Sequence, residues 1–152
     1  MRKFFLYGLN SGLLPKAPGT WGSVVGAIIG YFILMFLPQS TLFLLAILIT
    51  LIAVKEINIY EKETGIHDDK RIVIDEIAGI WIAMSLAGGS IIATIFSFIY
   101  FRILDIKKPS IIGKIDEKVP GGWGVMGDDL VAGVFAGIMS AGSLMIYMKV
   151  MG

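Results

Sequence analysis

Two adjacent carboxylate pairs, Asp75-Glu76 and Asp128-Asp129, each stand immediately before a long apolar run, and Asp105 lies between them in the chain. One acidic residue at such a position caps a helix and favours its dipole. A second one beside it, at the edge of an apolar segment where charge is costly, points to metal or proton chemistry. Hard cations such as Mg²⁺ take oxygen ligands and usually keep several waters, so a few converging carboxylates suffice to hold one. Asp75, Glu76, Asp105, Asp128 and Asp129 supply that set, and Asp129 is the first residue to test as a catalytic group, with Asp128 and Asp75 beside it.

Basic residues accompany the acids. The stretch from Arg102 to Asp129 holds ten of the chain's twenty-five charged residues. Arg102 and Asp105 are three apart and share a helix face. They form either a local ion pair or a phosphate contact beside a metal ligand. Gly121-Gly122-Trp123-Gly124 reads as a loop whose backbone N–H groups approach a phosphate, or as a simple turn; it matches neither the Walker nor the dinucleotide spacing. The rigid loop from Leu14 to Ser23 offers Lys16 and Thr20 as anion contacts, although a plain cap would need only Thr20 or Ser23. His67 is the sole histidine, which excludes a two-histidine phosphatase and a histidine-rich zinc site. It falls in a polar run, 65–71, that reads as a solvated loop, and Glu56, Glu61 and Glu63 read as a solvated helix face. With no Cys, disulfides, thiolate metal sites and a cysteine nucleophile are excluded.

The elements that must position these residues are apolar. The chain has 152 residues, 56% of them hydrophobic and 16% charged, with a mean hydropathy of +0.81. That is the size of one domain, 1–152, and the composition of a membrane protein. A net charge of +1 without a basic, aromatic-interleaved stripe argues against nucleic acid as a partner. The N-terminal apolar run is too short for a signal peptide, so the start is expected to stay on the protein, in the cytoplasm.

Residues 21–54, 77–101 and 130–148 contain no charged residue. The first block is too long for one helix and breaks at Pro38-Gln39-Ser40-Thr41, which predicts a hairpin. The second is predicted to fold back at Gly88-Gly89-Ser90. This return places the Lys and Arg residues, and nearly every carboxylate, on the cytoplasmic side, as the positive-inside rule requires. The resulting arms are about 13–17 residues, roughly 20–25 Å at 1.5 Å per residue. Gly22, Gly26 and Gly30 form a close-packing face. The block from Leu130 to Met148 is predicted to be one helix at the centre of the bundle. The expected fold is thus all-α: a compact multi-helix membrane bundle with short hairpin helices around a central C-terminal helix. Its small-residue faces serve contacts within one chain or between copies in a homo-oligomer.

Four segments, LPKAPGTWGS at 14–23, IVIDEIAGIW at 72–81, FRILDIKKP at 101–109 and DEKVPGGWGVMGDDLVAG at 116–133, together resemble the phosphatidylglycerophosphatase A family, in the family's order. The resemblance implies a Mg²⁺-dependent enzyme of the bacterial cytoplasmic membrane, multi-pass, with its site facing the cytoplasm. Such an enzyme removes the terminal phosphate of phosphatidylglycerophosphate, a phospholipid substrate. Functional positions would fall on Asp75, Glu76, Arg102, Asp105, Lys108, Asp128 and Asp129; Lys16 is a candidate phosphate contact from the setting of its loop alone. Leu104, Ser110 and Gly127 depart from the family's pattern without removing a carboxylate. Two other readings remain: a lipid-alcohol phosphotransferase and a small ion-coupled transporter. Carboxylates that flank the apolar blocks, with none inside one, favour a surface site over a conduction path.

Overall fold

Proline and glycine set the helix boundaries. In the computed structural model, which describes residues 1–152, Leu37 is extended (φ −127°, ψ 153°), as the residue before a proline tends to be. It separates α2 (Pro18–Phe36) from α3 (Gln39–Thr64). Gly88, at φ 118°, ends α4 (Ile74–Ala87). Ser90 then caps α5 (Ile91–Lys107) by accepting from the Ala93 N–H. Both expected hairpins are therefore present. A short α1 (Arg2–Leu6), a 3-10 turn at Ser11–Leu13, α6 (Ile111–Lys118) and α7 (Gly121–Met151) complete an all-helical bundle.

Two expectations need correction. The arms α2 and α3 are 19 and 26 residues long, not 13–17. Pro18 suits the first turn of α2, and α3 runs past Val54 through the charged stretch to Thr64. The last helix begins at Gly121, so Gly121 to Gly124 are its first turn and not a loop. Glycine is a poor helix former, but tertiary packing overrides that here. A Cβ on Gly122 would lie 2.4 Å from the Val54 carbonyl oxygen, so α3 approaches α7 closely only at a glycine. Asp128 and Asp129 consequently sit two turns inside a helix, where capping cannot explain them.

Three helices, α2, α3 and α7, are long and apolar enough to cross a membrane. Between them stands α4, with eleven of its fourteen residues buried and contacts to α2, α3, α5 and α7. The centre of the bundle is therefore shared by α4 and the first two-thirds of α7, whose end from Met145 to Met151 is largely exposed.

Small residues fix how these helices run. Along α2, Gly22 faces Val73 and Glu76, Gly26 faces Ile77 and Ile80, and Gly30 faces Trp81 and Met84. Along α7, Gly133 faces Gly79, and Gly137 faces Ala83 and Leu86. Contact positions advance together in both pairs, so α2, α4 and α7 are parallel and begin at the same end of the bundle. Trp81 locks the α2 seam by donating its indole N–H to the Gly26 carbonyl at 2.8 Å.

The tightest of these contacts is testable. A Cβ on Gly133 would lie 2.3 Å from the Gly79 carbonyl oxygen, whereas one on Gly142 meets nothing within 4 Å. Gly133→Ala is expected to destabilise the detergent-solubilised protein by about 1–3 kcal/mol through overpacking. Gly142→Ala is expected to be neutral or stabilising by up to about 1 kcal/mol. Thermal midpoints of the two variants check this.

Candidate active site

The shared end of α2, α4 and α7 carries the acidic residues. A cavity of about 200 Å³ is lined there by Asp75 and Glu76 from α4, Asp105 from α5, Asp116 from α6, and Asp128 and Asp129 from α7, with Asp68, Lys70 and Lys108 from the connecting segments. Seven carboxylates thus face two lysines. One carboxylate oxygen each from Asp75, Glu76 and Asp129 lie within 4.8 Å of one another. Asp75 and Glu76 occupy the first turn of α4. Asp129 is brought against them because Gly79 and Gly133, each one turn further along, let α4 and α7 touch backbone to backbone.

Burial makes this arrangement costly. Asp128 and Asp129 are 4% and 2% exposed. Five buried side-chain polar atoms in the protein lack a hydrogen-bond partner, and four of them are here: Asp75 Oδ1, Glu76 Oε2, Asp128 Oδ1 and Asp129 Oδ2. Buried polar atoms are nearly always satisfied, so orphans concentrated in one cavity need a reason. Oxygen-only donors that converge without hydrogen-bond partners suit a hard divalent cation. The donor set fits Mg²⁺.

Two cations brace the cluster from outside. Arg102 donates to Asp105 at 2.6 Å, approaches Glu76 at 3.9 Å, and is held to α2 through Thr20 (3.2 Å) and Ser23 (3.3 Å). Gly19 belongs to the same contact, since a Cβ there would lie 2.2 Å from Glu76 Oε1. Lys108 reaches Asp116 at 2.7 Å and Asp128 at 3.0 Å. It terminates α5 in a left-handed conformation, φ 42°, which costs roughly 1–2 kcal/mol for a residue with a Cβ. Burial alone would lower the Lys108 ammonium, but the contacts with Asp116 and Asp128 outweigh it and hold the pKa above its ordinary value. Lys108 stays charged.

The expected residues divide on this geometry. Asp75, Glu76, Asp105, Asp128, Asp129 and Lys108 all line the cavity, and Arg102 stands behind Glu76 and Asp105. Lys16 is not among the lining residues; it lies in an exposed loop that turns at its own φ of 74°. Thr20 contacts Arg102 rather than an anion. Three lining residues, Asp68, Lys70 and Asp116, had no role assigned from sequence. For Asp68 and Lys70 the signal is a period of two. Asp68, Lys70 and Ile72 face the cavity, while Asp69 and Arg71 between them turn towards Tyr60 and Tyr7.

That second face is a latch. Arg71 holds Asp69 through two N–H groups, at 2.6 and 3.0 Å. Tyr60 donates to Asp69 at 2.6 Å, and the Tyr7 hydroxyl lies 2.8 Å from that of Tyr60. The Arg71 contact, helped by Tyr60 and opposed by burial, holds the Asp69 carboxyl well below its usual range. His67 and the glutamates of α3 remain peripheral, with His67 on Glu61 and Arg2 on Glu56 and Glu63.

These features define an all-α membrane protein with a carboxylate-lined cavity of about 200 Å³ at one end of its bundle. The chain belongs to the phosphatidylglycerophosphatase A family, whose model matches residues 4–144, and so to the phosphoric monoester hydrolases. It is 42% identical over 134 residues to phosphatidylglycerophosphatase A of Escherichia coli, covering 87% of this chain and 77% of that one. To the Haemophilus influenzae protein of the same name it is 37% identical over 136 residues, covering 87% and 82%. A Bacteroides thetaiotaomicron relative, 36% identical over 141 residues with 88% and 87% coverage, has a name that proposes phosphatidylinositol-3-phosphatase activity. No solved structure matches the chain.

The latch carries a prediction with a definite sign. Because the folded-state pKa of Asp69 lies below the ordinary 3.8, its stabilisation is present above about pH 4 and is lost as pH falls towards the folded value. Asp69→Asn is expected to lower stability at pH 7 by about 2 kcal/mol. The gap between variant and parent should close as acid melts are run progressively below pH 4.

Proposed function

We propose that the protein is a Mg²⁺-dependent lipid phosphatase that hydrolyses the terminal phosphomonoester of phosphatidylglycerophosphate to phosphatidylglycerol and phosphate. It would act in the bacterial cytoplasmic membrane with its cavity open to the cytoplasm. The observation that carries this reading is the set of four orphaned carboxylate oxygens in a cavity of seven acids and two lysines. So acidic a cavity repels a phosphate unless a cation enters first. The names of the two phosphatidylglycerophosphatase relatives support the substrate.

Asp75, Glu76 and Asp129 would hold the ion, with Asp128 and Asp105 alongside. When bound there, Mg²⁺ supplies positive charge against the phosphate oxygens and Lewis acidity for hydrolysis. The protein's own groups do the rest. Arg102 and Lys108, on opposite sides of the cluster, orient the phosphate and stabilise charge that develops on it. Asp129, sealed at the cavity floor, takes the proton of the attacking water. The water oxygen bonds to phosphorus, the bond from phosphorus to the glycerol oxygen breaks, and that oxygen takes a proton from solvent water as it leaves as the alcohol, while Asp129 returns the proton it accepted to solvent. The acyl chains stay in the bilayer.

An ion-coupled transporter finds less support in the geometry. The acids sit together at one end of the bundle, and beneath them α4 is packed through Ile77, Ala78, Ile80 and Trp81. That suits a surface reaction rather than an ion path.

Phosphate release from phosphatidylglycerophosphate in detergent micelles tests the assignment. Release is expected to stop when the metal is chelated and return with Mg²⁺, and Asp129→Asn is expected to lower it by about 10²- to 10⁴-fold. Metal-independent release, or full activity in Asp129→Asn, would overturn the site. Phosphatidylinositol 3-phosphate, run in parallel, is expected to be the poorer substrate.

Orientation is tested separately in this cysteine-free chain. Single cysteines introduced as Gly89→Cys and Lys114→Cys are expected to react with impermeant maleimide from opposite faces of the membrane. Labelling from the same face would rule out the α4–α5 hairpin topology.

A further inference from the structure

Below the carboxylate cluster, the two helices that anchor Arg102 part to form an apolar groove. Its floor is Ala27 of α2 and Thr94 of α5, both buried, and its walls are Val24, Ile28, Ile95 and Phe98. It encloses about 220 Å³. Thr94 turns its hydroxyl away to the Ser90 carbonyl at 3.1 Å, so the groove is lined by carbon. Val24 lies one helical turn from Thr20, and Phe98 one turn from Arg102, so the groove starts about 6 Å along the helix axes from the backbone of those two residues. Arg102, bonded to Thr20 and Ser23, bridges the two helices at its upper end.

We infer that this α2–α5 groove seats one acyl chain of the phospholipid substrate, so that α2 and α5 hold the lipid's tail while the cluster above them holds its phosphate. The inference rests on the phospholipid phosphatase reading given above. Its support is placement: the same helix pair carries a phosphate-binding candidate, Arg102, beside the cavity and, one helical turn further along, an open carbon-lined groove. A second apolar recess, formed by Leu104, Pro109, Ile112, Phe135 and Met139, flanks the other side of α5. It is roofed by Ser110 and Ile111 at the start of α6, which places a helix between it and the cavity mouth. The α2–α5 groove has no such cover. A chain seated there would enter sideways from the bilayer without leaving it, and Arg102 would meet the headgroup at the depth where polar and apolar surfaces join.

The test uses the whole protein in detergent micelles and phosphatidylglycerophosphate carrying a diazirine in one acyl chain. Photo-adducts are expected on the segments 24–28 and 94–98. Val24→Trp, which fills the groove without touching the cluster, is expected to raise KM for the long-chain substrate about tenfold. It should leave kcat, and turnover of a dibutyryl analogue, unchanged. Ile28→Trp, on a wall residue that is 52% exposed, provides the same test should Val24→Trp misfold. Adducts concentrated on Leu104, Phe135 and Met139, or spread over the outer face of α3, would overturn the groove, as would equal losses on long and short substrates. Adducts within the groove from a protein that hydrolyses neither lipid would uphold the lipid seat and overturn the phosphatase reading instead.

Discussion

Everything at the polar end of this protein depends on the backbone contact between α4 and α7. Gly79 and Gly133 meet so closely that no Cβ fits between them, and each lies one turn beyond a carboxylate, Asp75 and Asp129. Because the helices run parallel, the two acids are carried to the same level and face each other. A larger residue at either glycine would separate them by the width of a side chain. The apolar zipper of α2 on α4, through Gly22, Gly26 and Gly30, works in the same way and brings Thr20 and Ser23 to Arg102. In lipid there is little hydrophobic drive between helices, so close packing at small residues is the available adhesive. Here the adhesive also sets the geometry of the candidate site.

Electrostatically the cluster opposes the fold. Like charges crowded at low dielectric repel strongly, and each unpartnered carboxylate oxygen keeps a desolvation cost of about 1–3 kcal/mol or more. Arg102 and Lys108 offset part of this, but each already serves two carboxylates. The surrounding packing, with a helix as completely enclosed as α4, must hold the arrangement in place. Such local conflict between site and scaffold is typical of functional positions.

Much of this could be read from the residues. Pro38 and the Gly88-Gly89-Ser90 turn are local signals, and local chemistry decided both. The carboxylates were marked out by being charged at the margins of apolar blocks, which needs no tertiary knowledge. What could not be read depends on contacts between distant segments. Gly121 to Gly124 look like a loop by propensity and are helical because α3 packs against them. Lys16 looked like an anion contact by its setting among prolines, yet it is exposed and not among the lining residues, although Pro18 two positions on is. Asp116 gained a place only through Lys108, eight residues earlier, whose backbone turn at the end of α5 lets one ammonium reach both α6 and α7.

On the proposed reading, the charge balance also dictates an order of events. A phosphomonoester that approaches seven acidic groups and two lysines would meet net repulsion from those that are ionised, so a divalent cation would bind before the lipid headgroup. An ion held by Asp75, Glu76 and Asp129, with Asp105 and Asp128 alongside, would compete with Arg102 for Glu76 and Asp105 and with Lys108 for Asp128. The guanidinium would then be freer to turn towards phosphate oxygens, and the Lys108 ammonium, still paired with Asp116, would have one contact to give up. The ion pairs would in this sense be a resting arrangement that engages Arg102 and Lys108 while no metal is bound. An acid-rich cavity can therefore serve an anionic substrate without any residue moving between helices.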